Sequence, residues 1–215
     1  LAETFTHARN TELSIMRLAI DTGYATQEVY DWVRRQQSDR VIAVKGVERL
    51  GAAIGTPSHM DVTVHGRKKR RGLMVWPVGS SFGKSELYGC LRKDKSTDEQ
   101  LQEGMINPPG YCHFPKYGEE FFKQLTAERL VTVKDKRGFP HREWRKLRER
   151  NEALDCRIYA RAAASAVGID RFSDNAWVKL ENALGVVTNM EPNIDKPQPK
   201  KVNQAERRII KSNYV

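Results

Sequence analysis

The sequence predicts an α/β fold, a mixed sheet flanked by helices with a basic β-hairpin inserted into it. Three observations carry that prediction. An apolar run ending at Asp21, an amphipathic segment, and the apolar run RVIAVKGV at 40–47 read as strand, helix, strand, the βαβ unit of a parallel sheet. Two alternating runs within 60–79 flank a polar turn, which is the pattern of a hairpin. A late segment, NEALDCRIYARAAASA from 151, has helical spacing and small side chains that let a helix lie close to a sheet.

Taken in order, SIMRLAIDTGY at 14–24 delivers Asp21 to a strand's C-terminal end, where Thr22 and Gly23 turn the backbone away. ATQEVYDWVRRQQSD then reads as a helix with Val29, Trp32 and Val33 inward and Arg34 and Arg35 outward. After the strand at 40–47 comes the hairpin MDVTVHGRKKRRGLMVWPVG, expected to carry five basic residues, Arg67 to Arg71, at its tip. SSFGKSELYGCLRK reads as a short helix, and DKSTDEQLQEGMINPPG as an exposed loop rich in turn formers. GEEFFKQLTAERL is expected to be helical throughout, and VTVKDKRGFPHREWRKL to be a hairpin turning near Gly138. The helix from Asn151 runs to about Gly168, and the last one, SDNAWVKLENALG, is capped by Ser173 and stopped by Gly185. Residues 1–185 therefore form one domain, and 186–215, rich in proline and charge without apolar periodicity, form a basic flexible tail.

Composition narrows the function. With 215 residues and 39% hydrophobic content the chain can bury one core. Lys+Arg 37 against Asp+Glu 27 gives a net charge of +10, a balance suited to a polyanionic partner. No stretch reaches the roughly 18 apolar residues of a membrane span, and the N-terminus lacks a signal-peptide pattern, so a soluble, intracellular protein without membrane contact is expected. Cys90, Cys112 and Cys156 are odd in number and lack CxxC spacing, which indicates neither a disulfide framework nor a zinc ribbon. The pair Cys112–His113 reads as packing rather than as metal ligands.

The chemistry-bearing residues are acids on distant elements. Asp21 stands at a strand end, and Glu152 and Asp155 lie three apart on one helix face. Two carboxylates about 4 Å apart repel by about 4 kcal/mol at an effective dielectric near 20, and a hard divalent cation relieves that repulsion. Phosphodiester hydrolysis uses such cations to activate water and to stabilise the leaving oxygen. Asp21 and Asp155 are thus the candidate catalytic residues, with Glu152 a further metal ligand, for Mg2+ or Mn2+. Taken singly, Asp21 reads more readily as a capping or loop acid and Asp155 as a salt-bridge partner than as metal ligands; their conjunction favours the metal site.

The basic run Arg67, Lys68, Lys69, Arg70, Arg71 and the run containing Arg142, Arg145 and Lys146 are candidate DNA-tracking surfaces, since such side chains neutralise phosphates without reading sequence. A solvated face is the bland reading of the same runs. VGSSFGKS imitates a phosphate loop, but Val78 stands where G-x-x-x-x-G-K-[ST] requires glycine. Lys84 is therefore assigned to a DNA phosphate or to the charge balance of the metal site, not to ATP. Trp144 reads as a packing anchor of its hairpin more than as a stacking platform.

RLAIDTGYATQEVYDWVR, RVIAVKGV, GLMVWPVGSSFGKSELYG, GYCHFP, FFKQLTAERLV and RNEALDCRIYA, in this order, resemble the endonuclease domain of phage terminase large subunits of the lambda type. The resemblance covers roughly residues 1–170. It implies a ribonuclease H-like fold, a Mg2+ or Mn2+ site at Asp21 and Asp155, and cutting of double-stranded viral DNA during genome packaging. It further implies a terminase small subunit and the capsid portal as partners and the host cytoplasm as location. Family members place an ATPase domain first, then strands whose opening one carries another metal-binding aspartate. Residues 1–20 hold only Glu3 and Glu12, so the chain is expected to be the later part of the domain, without those first strands. The competing class is a catalytically silent basic module that binds DNA and docks the portal.

Overall fold

A computed structural model describes residues 2–186 except 8, 9, 37 and 65. The tail expected over 186–215 thus lies, but for its first residue, outside the described residues. Two short strands, β1 (Thr4–Thr6) and β2 (Glu12–Ser14), pair antiparallel as a separate two-stranded sheet. The main sheet follows, built from β3 (Leu18–Asp21), β4 (Val41–Val47), β5 (Ser58–Val64) and β6 (Arg67–Gly79) in the order β3-β4-β6-β5. β3, β4 and β6 run parallel and β5 pairs antiparallel with β6, so the sheet is mixed. α1 (Thr26–Arg35) makes the β3–β4 crossover.

The run VIAV of β4 is continuous because both faces of the strand are covered. Ile42 and Val44 face one core with Val78, Leu87, Leu125, Leu154 and Ile158, while Val41 and Ala43 face a second with Tyr30, Val33, Val62 and Val75. The first core is roofed by α2 (Ser80–Leu91), α4 (Glu119–Leu125) and α5 (Glu152–Val167); the second lies under α1. Inward positions on α1 are Tyr30 and Val33, whereas Trp32, expected inside, is 37% exposed. Gly83 of α2 sits where an added Cβ would lie 2.9 Å from Ile158 Cγ2, so glycine is what lets α2 and α5 approach.

Three further expectations are corrected. The basic run Arg67–Arg71 does not form the hairpin turn, which lies at Gly66 with φ +75°; it opens strand β6, exposed beside the tip, with Lys68 opposite Thr63. The segment 94–110 is not all loop: Thr97 and Gln100 form a capping box that starts α3 (Asp98–Gln102). The helix expected over 118–130 ends at Leu125, where Thr126 Oγ1 turns back to Phe122 O, and Glu128 begins a strand. That strand, β7 (Glu128–Lys134), pairs with β8 (Pro140–Lys146) as a two-stranded sheet apart from the main one. Its turn is built as expected near Gly138, with Asp135 Oδ1 accepting from the backbone N–H of Arg137 and Phe139. α5 ends at Gly168 in the left-handed conformation, and after a 3-10 turn at Ile169–Arg171, Ser173 caps α6 (Asp174–Ala183). No described helix is long and apolar enough to cross a membrane.

Candidate active site

The two-residue period of β3 aims Asp21 at α5. Ala19 packs toward the core under α5 and Ile20 toward the core under α1, so residue 21 returns to the α5 side. Pairing continues one residue past the strand, since the buried Thr22 gives both its N–H and its hydroxyl to Val44 O, each at 2.9 Å. The chain then turns, and Gly23 N–H donates to Asp21 Oδ1 at 3.1 Å.

On α5, Glu152, Asp155, Cys156, Tyr159, Ala160, Ala163, Ala164 and Val167 repeat at helical spacing along one face of a cavity of about 630 Å3. Met16, Arg17, Leu18, Ala19 and Asp21 form the opposing wall. The small residues of α5 bring it close to β3, and the acids meet at the end of this groove.

Asp155 is oriented by a chain of polar contacts. Asn151 Nδ2 donates to Asp155 Oδ2 at 3.1 Å and to Glu128 Oε1 at 3.0 Å, and Lys146 Nζ donates to Asn151 Oδ1 at 3.1 Å. Glu128 is buried, and its second oxygen receives Lys84 Nζ at 2.6 Å. Burial, and then the charges of Glu128 and Asp21, hold the Asp155 carboxyl above its ordinary value against the pull of Lys84 and Lys146. The Tyr159 hydroxyl faces the Asp21 carboxylate. Burial first, then the Asp21 and Asp155 charges, push the phenol far up, which keeps it a donor. Gly46 lies beside that hydroxyl, which an added Cβ would meet in ordinary contact at 3.4 Å.

Structure thus brings together Asp21 and Asp155, with Glu152 on the same cavity wall but its carboxylate turned to Arg150 at 3.4 Å. Lys84 faces Glu128 with only 13% of its side chain exposed, within reach of Asp155's electrostatics rather than presented to an external phosphate. The GKS motif lies inside α2, and so forms no phosphate-binding loop. Strand alternation puts Arg142, Trp144 and Lys146 on one face of β8 and Arg145 on the other, where Glu143 holds it at 2.6 Å. Arg67 to Arg71 are exposed on β6, with Lys68 paired to Asp61 at 3.0 Å. His113 packs its ring edge-on against Tyr111, and Cys112 lies against the first core.

Sequence reading misses Glu128, Asn151 and Tyr159. The last two carried a signal, because they stand four residues before and after Asp155 on one helix. Among the described residues no three His, Cys, Asp or Glu side chains converge as a metal cluster. Two facing carboxylates are nevertheless an oxygen donor set suited to a hard cation that keeps several of its waters.

The chain matches the family described as terminase large subunit gpA, endonuclease domain, over residues 1–177. It is 30% identical over 195 residues to the terminase large subunit of Escherichia phage lambda, covering 87% of this chain and 28% of that protein. It is also 30% identical over 160 residues to the terminase large subunit of Enterobacteria phage P21, covering 74% of this chain and 23% of that protein. The chain therefore spans about a quarter of the length of these relatives. No solved structure matches it.

Proposed function

This chain belongs to the terminase large subunit gpA endonuclease-domain family, and we propose that it cuts double-stranded viral DNA during genome packaging by metal-dependent hydrolysis on a ribonuclease H-like fold. The carrying observation is the meeting of Asp21 and Asp155 at one end of the β3–α5 groove, with Asp155 held above its ordinary pKa by burial and neighbouring acids. A half-buried carboxyl set beside a second acid favours a cation.

Asp21 and Asp155 would hold Mg2+ or Mn2+, with Glu152 beside them. A bound ion of this kind supplies Lewis acidity and an ionised water. The chain's own groups fix the carboxylates. Gly23 N–H orients Asp21, with the Tyr159 hydroxyl facing it. Asn151, clamped between Lys146 and Glu128, orients Asp155, and Lys84 neutralises Glu128 so that the clamp can be buried. Arg67 to Arg71, Arg142 and Arg145 are proposed to track the phosphate backbone without reading bases. The proposal extends to a small terminase subunit and the capsid portal as partners, and to the host cytoplasm as location.

Substitution tests it directly. Asp21→Ala and Asp155→Ala should each abolish Mn2+-dependent cleavage by the full-length protein, while DNA affinity without metal stays within about twofold of the parent. Calorimetry should show Mn2+ binding to the parent and not to the double variant. Cleavage within about twofold of the parent in either single variant would overturn the assignment. Absent metal binding with intact DNA affinity would instead make the chain a silent DNA-binding module.

A further inference from the structure

Between α2 and the β7–β8 hairpin lies another cavity, of about 340 Å3, lined by Ser85, Tyr88, Arg92, Arg129, Leu130, Arg142 and Trp144. That volume is at the small end of sites for small molecules. Its wall is apolar and aromatic: Tyr88 and Trp144 pack with ring centroids 5.2 Å apart, and Leu130 stands opposite Trp144 in the hairpin register. Its rim is cationic. Other basic side chains nearby are already engaged, Lys84 by Glu128, Arg145 by Glu143 and Lys146 by Asn151. Arg92, Arg129 and Arg142 are exposed, and among the described residues none of their guanidinium groups has an ion-pair or hydrogen-bond partner.

Unneutralised guanidinium groups ask for phosphate, and an aromatic wall asks for a flat apolar face. A nucleotide offers both, but only when its base is out of the helical stack. The cavity also adjoins the acid site. Lys84 Nζ lies 5.9 Å from the Trp144 ring centroid and 2.6 Å from Glu128, and Asn151 links Glu128 to Asp155.

We infer that this pocket binds one unstacked nucleotide of a DNA strand, its phosphate on Arg92 and Arg142 and its base against Trp144 and Tyr88. The inference rests on DNA being the substrate, not on the cut itself.

The test uses the full chain without divalent metal, titrated with a short single-stranded oligonucleotide carrying one fluorescent purine analogue. Binding should quench the analogue, and an oligonucleotide of equal charge that is abasic at that position should bind about fivefold more weakly or worse. Arg92→Ala with Arg142→Ala should weaken binding about tenfold and lessen the salt slope by about 0.7 for each phosphate left unneutralised. Trp144→Leu should abolish the quenching and Trp144→Phe should retain it. The arginine pair, being exposed, keeps the test valid should the tryptophan variants fold poorly. Affinity of the arginine variant within about twofold of the parent, equal binding of the abasic strand, or displacement by polyglutamate as effective as by oligonucleotide would each overturn the inference. A chain that quenches the analogue but never cuts DNA would overturn the nuclease reading and leave the pocket standing; a chain that cuts but fails the arginine test would do the reverse.

Discussion

Asp155 gives a pH dependence of stability whose sign follows from its surroundings. Burial and its acidic neighbours make the folded chain hold this proton more tightly than the unfolded chain, whose value is near 3.8. The associated stability is therefore complete below that value and is lost as pH rises through the raised folded one. Asp155→Asn keeps an acceptor for Asn151 and removes the charge, so without metal it should melt higher than the parent at pH 7. The difference should shrink as the pH approaches 3.8, and thermal melts across that range check it. Lys84 tests the other side of the network. Lys84→Met leaves Glu128 buried without its cation and should destabilise the fold by about 3–5 kcal/mol, while adding Glu128→Gln should recover part of the loss. Such couplings explain what the sequence could show of the site. Asp21 and Asp155 were legible because each has a local context, a strand end before Thr22–Gly23 and a face of a small-residue helix. Glu128 has none: it opens β7 inside a stretch of helical composition, and only the fold brings it to Lys84, 44 positions away.

The basic arm of β6 should set much of the salt dependence of DNA binding. Lys68 is already answered by Asp61, so replacing Arg67, Lys69 and Arg70 by alanine should lessen the slope of log affinity against log salt by up to about 2.7, at about 0.9 per phosphate, and equally for all sequences. Titrations at several salt concentrations measure it, and a weakening confined to one DNA sequence would count against it. The elements themselves were largely readable, because VIAV on β4, the alternation in β5 and β6, and Gly168 after α5 state their roles locally. Failures came where tertiary packing overrules local pattern. The segment TAERL has helical composition, yet it leaves α4 after Leu125 because Ala127 and Glu128 are buried at the root of the next hairpin. Trp32 yields the inner face of α1 to Tyr30 for the same reason.

For the whole molecule, cation binding should appear as added stability. At a hundredfold excess over Kd, Mn2+ binding only the folded state contributes about 2.7 kcal/mol, which for a chain of this size raises Tm by roughly 5–11 °C. Differential scanning calorimetry with and without Mn2+ should show that rise in the parent and lose it in the Asp21→Ala, Asp155→Ala double variant. The parallel pairing of β3 and β4 was inferable from chain order, whereas the parallel insertion of β6 between β4 and β5 and the separateness of the β7–β8 sheet were not, since nothing in those sequences says which edge each joins. That separateness has a mechanical side. The hairpin is anchored at its root, where Leu147 N–H bonds Ala127 O at 2.7 Å and Glu128 grips Asn151. Six residue steps of strand carry its turn about 20 Å from that root, so a tilt of about 6° sweeps the far end through about 2 Å. The hairpin is in this sense a lever with its fulcrum at the first turn of α5. The root residue Glu128 and Asp155 share Asn151, so the seating of the hairpin and the orientation of Asp155 are fixed together.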